Sequence, residues 1–169
     1  MNKLNDELKS QAIKLGLCRQ WQNEWKVDWS KKELIDKFFE GIDFCIMHKY
    51  PSNDFIKSNF DADILRKNGV YVDDKYSNMN QRNVAGMGSS NLTLRYSGLK
   101  SGRMWIKDDA SLHLITHNFA FVLIHVFDRA KVIVERFDKS NVVIILHSRN
   151  ASIEYNKGVV VKEELDYLQ

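Results

Sequence analysis

The sequence has few of the residue types that interrupt or cross-link a chain. One proline and eight glycines in 169 residues argue against long disordered linkers. The two cysteines, Cys18 and Cys45, are too few for a disulfide framework. Both lie in segments with helical spacing, where buried, reduced thiols are expected. These features favour a reducing compartment, and we expect the protein in the cytoplasm.

Long apolar runs and a strong charge bias are also missing. No apolar run approaches the ~18 residues that a membrane-spanning helix needs. The N-terminal segment is amphipathic and lacks the apolar centre of a signal peptide. A net charge of +3 does not by itself indicate a polyanionic partner. The sequence therefore predicts a protein of one domain, or one domain and a subdomain, that does not contact a membrane.

The usual arrangements of catalytic residues are absent. No serine lies in a Gly-x-Ser-x-Gly elbow, and the pair Gly86 and Gly88 lacks the Lys-Ser/Thr ending of a phosphate loop. Four histidines lie in the C-terminal part without the short spacing of metal ligands, which favours exposed strand positions: His113, His117, His125 and His147. We expect no enzyme activity, no cofactor and no metal.

A ten-residue repeat is the most informative pattern that is present. Small residues recur at intervals of ten: Ala110, Ala120, Ala130 and Ser140, with Ala151 one residue late. Aliphatic residues follow each of the first four by two and by four places. Such a column of small and apolar residues is typical of a strand-and-turn element stacked on copies of itself.

Two architectures are compatible with this repeat. In an antiparallel meander or sandwich, neighbouring strands run in opposite directions and equivalent positions do not stack. In a β-solenoid each coil comprises two or more such units, equivalent positions stack, and similar residues recur in columns. The small-residue column favours the solenoid and predicts successive repeats directly over one another, with the antiparallel meander or sandwich as the alternative.

Residues before the repeat have helical periodicity. Ser30 and Glu33 form a capping-box pattern that predicts a helix running to about Met47, and Ser52 is a second candidate N-cap. A first strand is expected at 70–72, and the polar segment 75–91 is expected to be a loop. The predicted fold class is α+β, with a helical head over 1–69 capping a repetitive β domain over 70–169.

A basic segment lies between Lys75 and Lys107. It contains six basic residues, no acidic residue and three interleaved aromatic residues. Basic and aromatic side chains together suit phosphates and stacked bases, and they suit an acidic protein surface as well. The predicted binding residues are Lys75, Tyr76, Arg82, Arg95, Tyr96, Lys100, Arg103, Trp105 and Lys107.

Two motifs in the helical part carry a resemblance. Gly-Ile-Asp-Phe-Cys at 41–45 and Tyr-Pro-Ser at 50–52 resemble those of an uncharacterised family of bacterial and prophage-borne proteins with a helical head and a repetitive β tail. The resemblance implies a small accessory protein of a mobile genetic element, such as an inhibitor of an RNA-guided defence nuclease of the anti-CRISPR type. It supplies no catalytic residues.

These observations together predict a non-enzymatic binding protein. It would engage RNA, another nucleic acid or a nucleoprotein through the basic and aromatic segment. The alternative is a structural or assembly protein, related to phage, that oligomerises through its β domain.

Overall fold

A computed structural model describes residues 3–166. The chain divides between Asn68 and Gly69 into two compact units, Met1–Asn68 and Gly69–Gln169. Over residues 3–166, the regular elements of the first unit are helices and those of the second unit are strands. The expected α+β class, with a helical N-terminal part and a C-terminal β-solenoid, is confirmed.

Six helices form the first unit: α1 Lys3–Lys14, α2 Arg19–Glu24, α3 Lys31–Glu40, α4 Ile42–Met47, α5 Asn53–Asn59 and α6 Ala62–Lys67. Two buried hydrogen bonds connect distant parts of this unit. The Asn5 side chain donates to the carbonyl of Trp29 at 2.7 Å, and the Tyr50 hydroxyl donates to the carbonyl of Leu8 at 2.7 Å. Both bonds tie α1 to segments that follow it.

Helix boundaries match the sequence signals in part. The capping box is present, because the Ser30 side chain accepts from the Glu33 amide while the Glu33 carboxylate accepts from the Ser30 amide at 2.8 Å. Ser52 likewise accepts from Phe55 and begins α5. The helix expected to reach Met47 instead ends at Gly41, where α3 gives way to α4. Cys45 is buried as expected, but Cys18 is exposed, so that part of the prediction is wrong.

Eleven strands form the second unit: β1 Val70–Val72, β2 Lys75–Met79, β3 Asn83–Met87, β4 Asn91–Tyr96, β5 Ser101–Ile106, β6 Ser111–Thr116, β7 Phe121–Val126, β8 Lys131–Arg136, β9 Asn141–Leu146, β10 Ser152–Tyr155 and β11 Val160–Glu163. Odd-numbered strands form sheet 1 and even-numbered strands form sheet 2. Every pairing is parallel. Each coil therefore adds one strand to each sheet, which identifies a two-sheet β-solenoid and excludes the antiparallel alternative.

The stacking period is twenty residues, twice the repeat seen in the sequence. Leu112 pairs with Val132 in sheet 2, and Val122 pairs with Val142 in sheet 1. Each coil therefore comprises two of the ten-residue units, as the solenoid prediction allows. The expectation that consecutive units lie directly over one another is wrong, because they form the two halves of one coil. The repeat is visible at ten because both halves of a coil have the same inward and outward alternation.

The interior between the sheets consists of these alternate residues. Leu92, Leu94, Leu112, Leu114 and Ile124 are at most 1% exposed, and the small residues of the repeat close the turns. Side chains at intervening positions face outward from the coil. This alternation places Tyr96 inside and Arg95 and Arg103 outside, whereas Trp105 is buried although it lies at an outward position.

The segment 75–91 is not a loop. It contains β2 and β3, which pair with β4 and β5. The segment lacks the alternation of apolar and polar residues that predicts a strand, because Asn78 and Gly86 occupy inward positions that elsewhere hold aliphatic side chains. Asn78 instead donates to the Tyr71 hydroxyl at 3.2 Å and to the Gln81 side chain at 2.8 Å.

Candidate functional site: the basic corner of the solenoid

The residues predicted to bind do not form one surface, because the basic segment winds around the coil. Lys75 and Arg95 are exposed on the outer face of sheet 2. Arg103 is exposed on sheet 1, where its guanidinium lies 4.9 Å from the ring centroid of Trp105. These cations therefore point away from the two different sheets.

Four of the predicted residues are largely buried. Tyr76 faces the interior and is half-buried, with its ring stacked on Tyr71 at 5.6 Å. Tyr96 is 1% exposed, its hydroxyl donates to the Gln81 carbonyl, and burial raises the pKa of its phenol. Trp105 is 3% exposed, and Lys107 is 8% exposed with its ammonium 2.7 Å from Asp108. Tyr96 and Trp105 therefore present no ring to a partner.

The remaining two predicted residues, Arg82 and Lys100, lie at one corner of the coil. This corner consists of the turns that lead from sheet 2 to sheet 1, at 80–82, 97–100, 117–120, 137–140 and 156–159. We call it the basic corner. Its turns carry four cations and one acid, all exposed: Arg82, Lys100, Lys139, Lys157 and Asp138.

The basic corner also collects the exposed apolar side chains. Among the described residues of the solenoid, eight large apolar side chains are exposed. Seven lie in these turns or within two residues of them: Met79, Leu99, Phe119, Phe121, Phe137, Tyr155 and Val160. Only Ile133 lies elsewhere, on sheet 2. Such a concentration on one edge is typical of an interaction surface rather than of scattered surface residues.

Two ring contacts order this corner. The imidazole of His117 stacks on Phe137 with centroids 4.8 Å apart and planes 10° from parallel. The ammonium of Lys139 lies 5.8 Å from the ring centroid of Phe119. His117 Nδ1 also lies 3.5 Å from a carboxylate oxygen of Asp138. The corner thus presents partly ordered rings beside cations.

Backbone geometry explains how the turns hold these side chains outward. A residue with positive φ lies in each turn: Asn80, Gly98, Asn118, Asp138 and Gly158. Asn, Asp and Gly are the residues that adopt this conformation most readily. The Asp138 carboxylate also accepts from the Asn118 amide at 2.9 Å, which ties one turn to the turn one coil before it.

The opposite corner has the reverse charge. Its turns, at 73–74, 88–90, 107–110, 127–130 and 147–151, carry five aspartates and three cations. Arg129 donates two hydrogen bonds to Asp109, at 2.7 and 2.8 Å, and this bond lowers the pKa of the Asp109 carboxyl. We call it the acidic corner. The solenoid is therefore polarised across its width.

The four histidines of the solenoid contact other side chains, and they do not come together at one site. His113 lies 2.5 Å from Glu135, and His125 Nδ1 lies 2.9 Å from His147 Nε2. His125 and His147 are buried, which differs from the exposed positions expected for them. Within residues 3–166, no group of three histidines, cysteines or acids is arranged to hold a metal ion.

Sequence reasoning missed most of the basic corner. Its residues are spread over about eighty positions, and no short segment of the sequence within that range is strongly basic. The signal was present in the repeat. Once the turns are aligned at intervals of twenty, the exposed Phe and Lys residues fall in the same turns.

Comparison with protein-family models, with curated proteins and with solved structures gives no match for this chain. The resemblance drawn from the motifs at 41–45 and 50–52 therefore stays a prediction. Over residues 3–166, none of the helices has the length and apolar character needed to cross a bilayer.

Proposed function

We propose that this protein is a non-enzymatic binding protein that holds single-stranded nucleic acid, free or within a nucleoprotein, on the basic corner. One observation carries the proposal: exposed aromatic rings and exposed cations share a single edge of the solenoid. Lys and Arg neutralise phosphates, and aromatic rings stack on bases. The acidic corner repels the same ligand and so orients it.

Single strands suit this edge better than a duplex. The rings project from a convex corner, where only unstacked bases can reach their faces, while duplex bases are stacked on one another. An acidic protein surface is the competing partner, because four cations would attract it too. Exposed rings distinguish the two partners, since they contribute to base stacking and not to charge pairing.

The test is fluorescence anisotropy with labelled twenty-residue oligouridine and oligothymidine. We expect the triple variant Arg82→Glu, Lys100→Glu and Lys139→Glu to bind at least ten-fold more weakly at low salt. The dependence of log Kd on log salt concentration should fall by about 2, because three phosphate contacts are lost at ~0.7 each.

A matched control makes the same charge change on the faces of the two sheets. Lys75→Glu, Arg103→Glu and Lys131→Glu alter three exposed residues outside the basic corner. This control should bind within about three-fold of wild type. Equal loss in both triple variants would show that net charge alone attracts the ligand. Wild-type protein that binds neither oligonucleotide but binds polyglutamate would replace the proposal with an acidic protein partner.

Two elements of the proposal come from the sequence. A role as an inhibitor of an RNA-guided nuclease follows from the family resemblance, and contact between the basic corner and a guide RNA would serve it. A cytoplasmic location fits the two free cysteines, which are typical of reducing compartments. Cleavage assays with a candidate nuclease and the triple variants would test the inhibitory role.

A second candidate function is assembly through the last coil of the solenoid. β10 and β11 each have one neighbouring strand. Their inward residues Ile153 and Val161 are half-buried, while Val132 and Ile144 one coil earlier are at most 1% exposed. An edge strand beside incompletely covered apolar side chains favours pairing with a second copy of the chain.

Light scattering across protein concentrations tests assembly. We expect a dimer that Val161→Glu dissociates, because a charge would be buried against the partner strand. Ile133→Glu, on the face of sheet 2, is the control and should remain dimeric. A wild-type monomer at tens of micromolar would contradict this second function.

A further inference from the structure

The column of residues that contains His117 has an open position at Ser97, one coil before His117. Continuing the register of β4, β6 and β8 by one residue aligns Ser97, His117 and Phe137 in successive coils. Backbone hydrogen bonds support this alignment, because His117 donates to Tyr96 at 2.9 Å and Phe137 donates to Thr116 at 2.8 Å. Two of the three positions hold stacked rings, and the third holds a serine.

Phe137 and Asp138 order the imidazole from one side. The two ring planes differ by 10° at a centroid distance of 4.8 Å, and Asp138 lies beside Nδ1 at 3.5 Å. Parallel strands in one sheet are about 4.8 Å apart, so rings in neighbouring coils of a column meet at stacking distance. A ring in the coil of Ser97 would therefore stack on the face of His117 that points away from Phe137.

Ser97 leaves that position unfilled. Its side chain is short and exposed, and its amide is occupied in a hydrogen bond to the Asn80 side chain at 3.1 Å. Lys100 lies three residues later in the same turn, and Arg82 lies in the turn one coil before it. Both cations are exposed. A planar ligand that carries a negative charge has a ring surface and two cations available here.

We propose that one nucleobase of a bound single strand stacks on the open face of His117, in the place left by Ser97, with an adjoining phosphate at Lys100 or Arg82. This inference rests on the proposed function and names the residue that distinguishes base contact from phosphate contact. It also predicts tolerance of base identity, because every base has a face that can stack.

The test uses three substitutions and one control substitution, measured against labelled oligouridine and against an abasic sugar-phosphate strand of equal length. His117→Ala should weaken binding of oligouridine by about ten-fold. His117→Phe should retain it, because a ring remains. Ser97→Trp should weaken it as His117→Ala does, since the new ring takes the place of the base, whereas Ser77→Trp on sheet 2 should not.

The abasic strand separates the two kinds of contact. It should bind to wild type at least as weakly as oligouridine binds to His117→Ala, because it lacks every base contact, and His117→Ala should not weaken it further. Wild type that binds both strands equally would overturn the stacking inference while leaving phosphate recognition by the basic corner intact. Wild type that binds neither strand would overturn the proposed function itself. Circular dichroism of each variant verifies that the solenoid is folded.

Discussion

The carboxylate of Asp128 accepts a hydrogen bond from the backbone amide of Asp108, twenty residues earlier, at 3.0 Å. The same relationship links Asp108 to Gly88 at 2.8 Å. Two turns of the acidic corner, at 107–110 and 127–130, therefore each satisfy a backbone donor in the turn one coil before. Asp108 and Asp128 both have positive φ, at 59° and 51°. One residue type thus provides both the conformation and the hydrogen bond.

Asp128→Ala should lower the free energy of unfolding by about 2 kcal/mol. The variant loses the hydrogen bond, and it places alanine, whose side chain cannot hydrogen-bond to the backbone, in the left-handed region. Asp128→Asn should cost less than about 1 kcal/mol, since its amide oxygen accepts and asparagine tolerates this conformation. Urea denaturation measures both. Equal losses in the two variants would show that the side-chain hydrogen bond does not matter.

Gly102 contributes by the absence of a side chain. A Cβ at this position would lie 2.6 Å from Cε1 of Tyr96 and 2.7 Å from its hydroxyl. Because Tyr96 is buried, Gly102→Ala must displace the ring, and we expect a loss of about 1–3 kcal/mol and a weakened bond from its hydroxyl to Gln81.

Gly98→Ala is the matched control for this substitution. Gly98 has φ of 72° and no heavy atom within 4 Å of a Cβ built there, so only backbone strain of about 1 kcal/mol applies. Thermal melts compare the two variants. A Gly102→Ala protein as stable as Gly98→Ala would show that the interior adjusts to the ring displacement without cost.

Much of the fold could be predicted from the sequence because the solenoid repeats its constraint. Every coil must place small residues at its turns and aliphatic residues inside. The same requirement therefore accounts for Ala110 and, one coil later, for Ala130. The period itself was ambiguous. Two similar halves make a twenty-residue coil appear as a ten-residue repeat, and only strand pairing separates them.

The binding surface was harder to predict because it depends on that pairing. Tyr96 is adjacent to Arg95 in sequence, yet alternation places its ring in the core. Phe119 and Lys139 are twenty residues apart, yet the coil brings them into contact. A linear search for basic and aromatic residues therefore combines side chains that point in different directions.

The two cysteines should differ in reactivity. Burial raises the pKa of the Cys45 thiol to about 12, whereas Cys18 is exposed. We expect one thiol per molecule to react with Ellman's reagent in the native state near pH 8, and two after unfolding in urea. Two rapidly reacting thiols in the native protein would contradict the burial of Cys45.

Cys45 should also make stability depend on alkaline pH. In the unfolded chain the thiol loses its proton near pH 8.5, while the folded protein retains it to about 12. The folded state therefore binds more protons in this window, and stability falls as pH rises. Urea denaturation should show this slope between about pH 8 and 9, before the tyrosines whose folded-state pKa is raised by burial, Tyr50 and Tyr96, begin to titrate in the unfolded chain near pH 10. Cys45→Ala should be less stable but lack it, and an identical slope in that variant would assign the effect to another group.

A twenty-residue stacking period predicts which internal deletions the solenoid tolerates. Deleting residues 113–132 joins Leu112 to Ile133, an inward residue to an outward one, and keeps the register of every later strand, with β5 replacing β7 as the neighbour of β9. Since each coil contacts only its neighbours, the shortened protein should fold cooperatively, with a lower melting temperature.

Deleting residues 113–131 removes one residue fewer and joins Leu112 to Val132, two inward residues. That slip turns the remainder of the strand over and exposes its apolar side chains, so we expect aggregation or loss of the strand signal in circular dichroism. Similar melting behaviour of the two deletions would mean that strand register does not determine this fold.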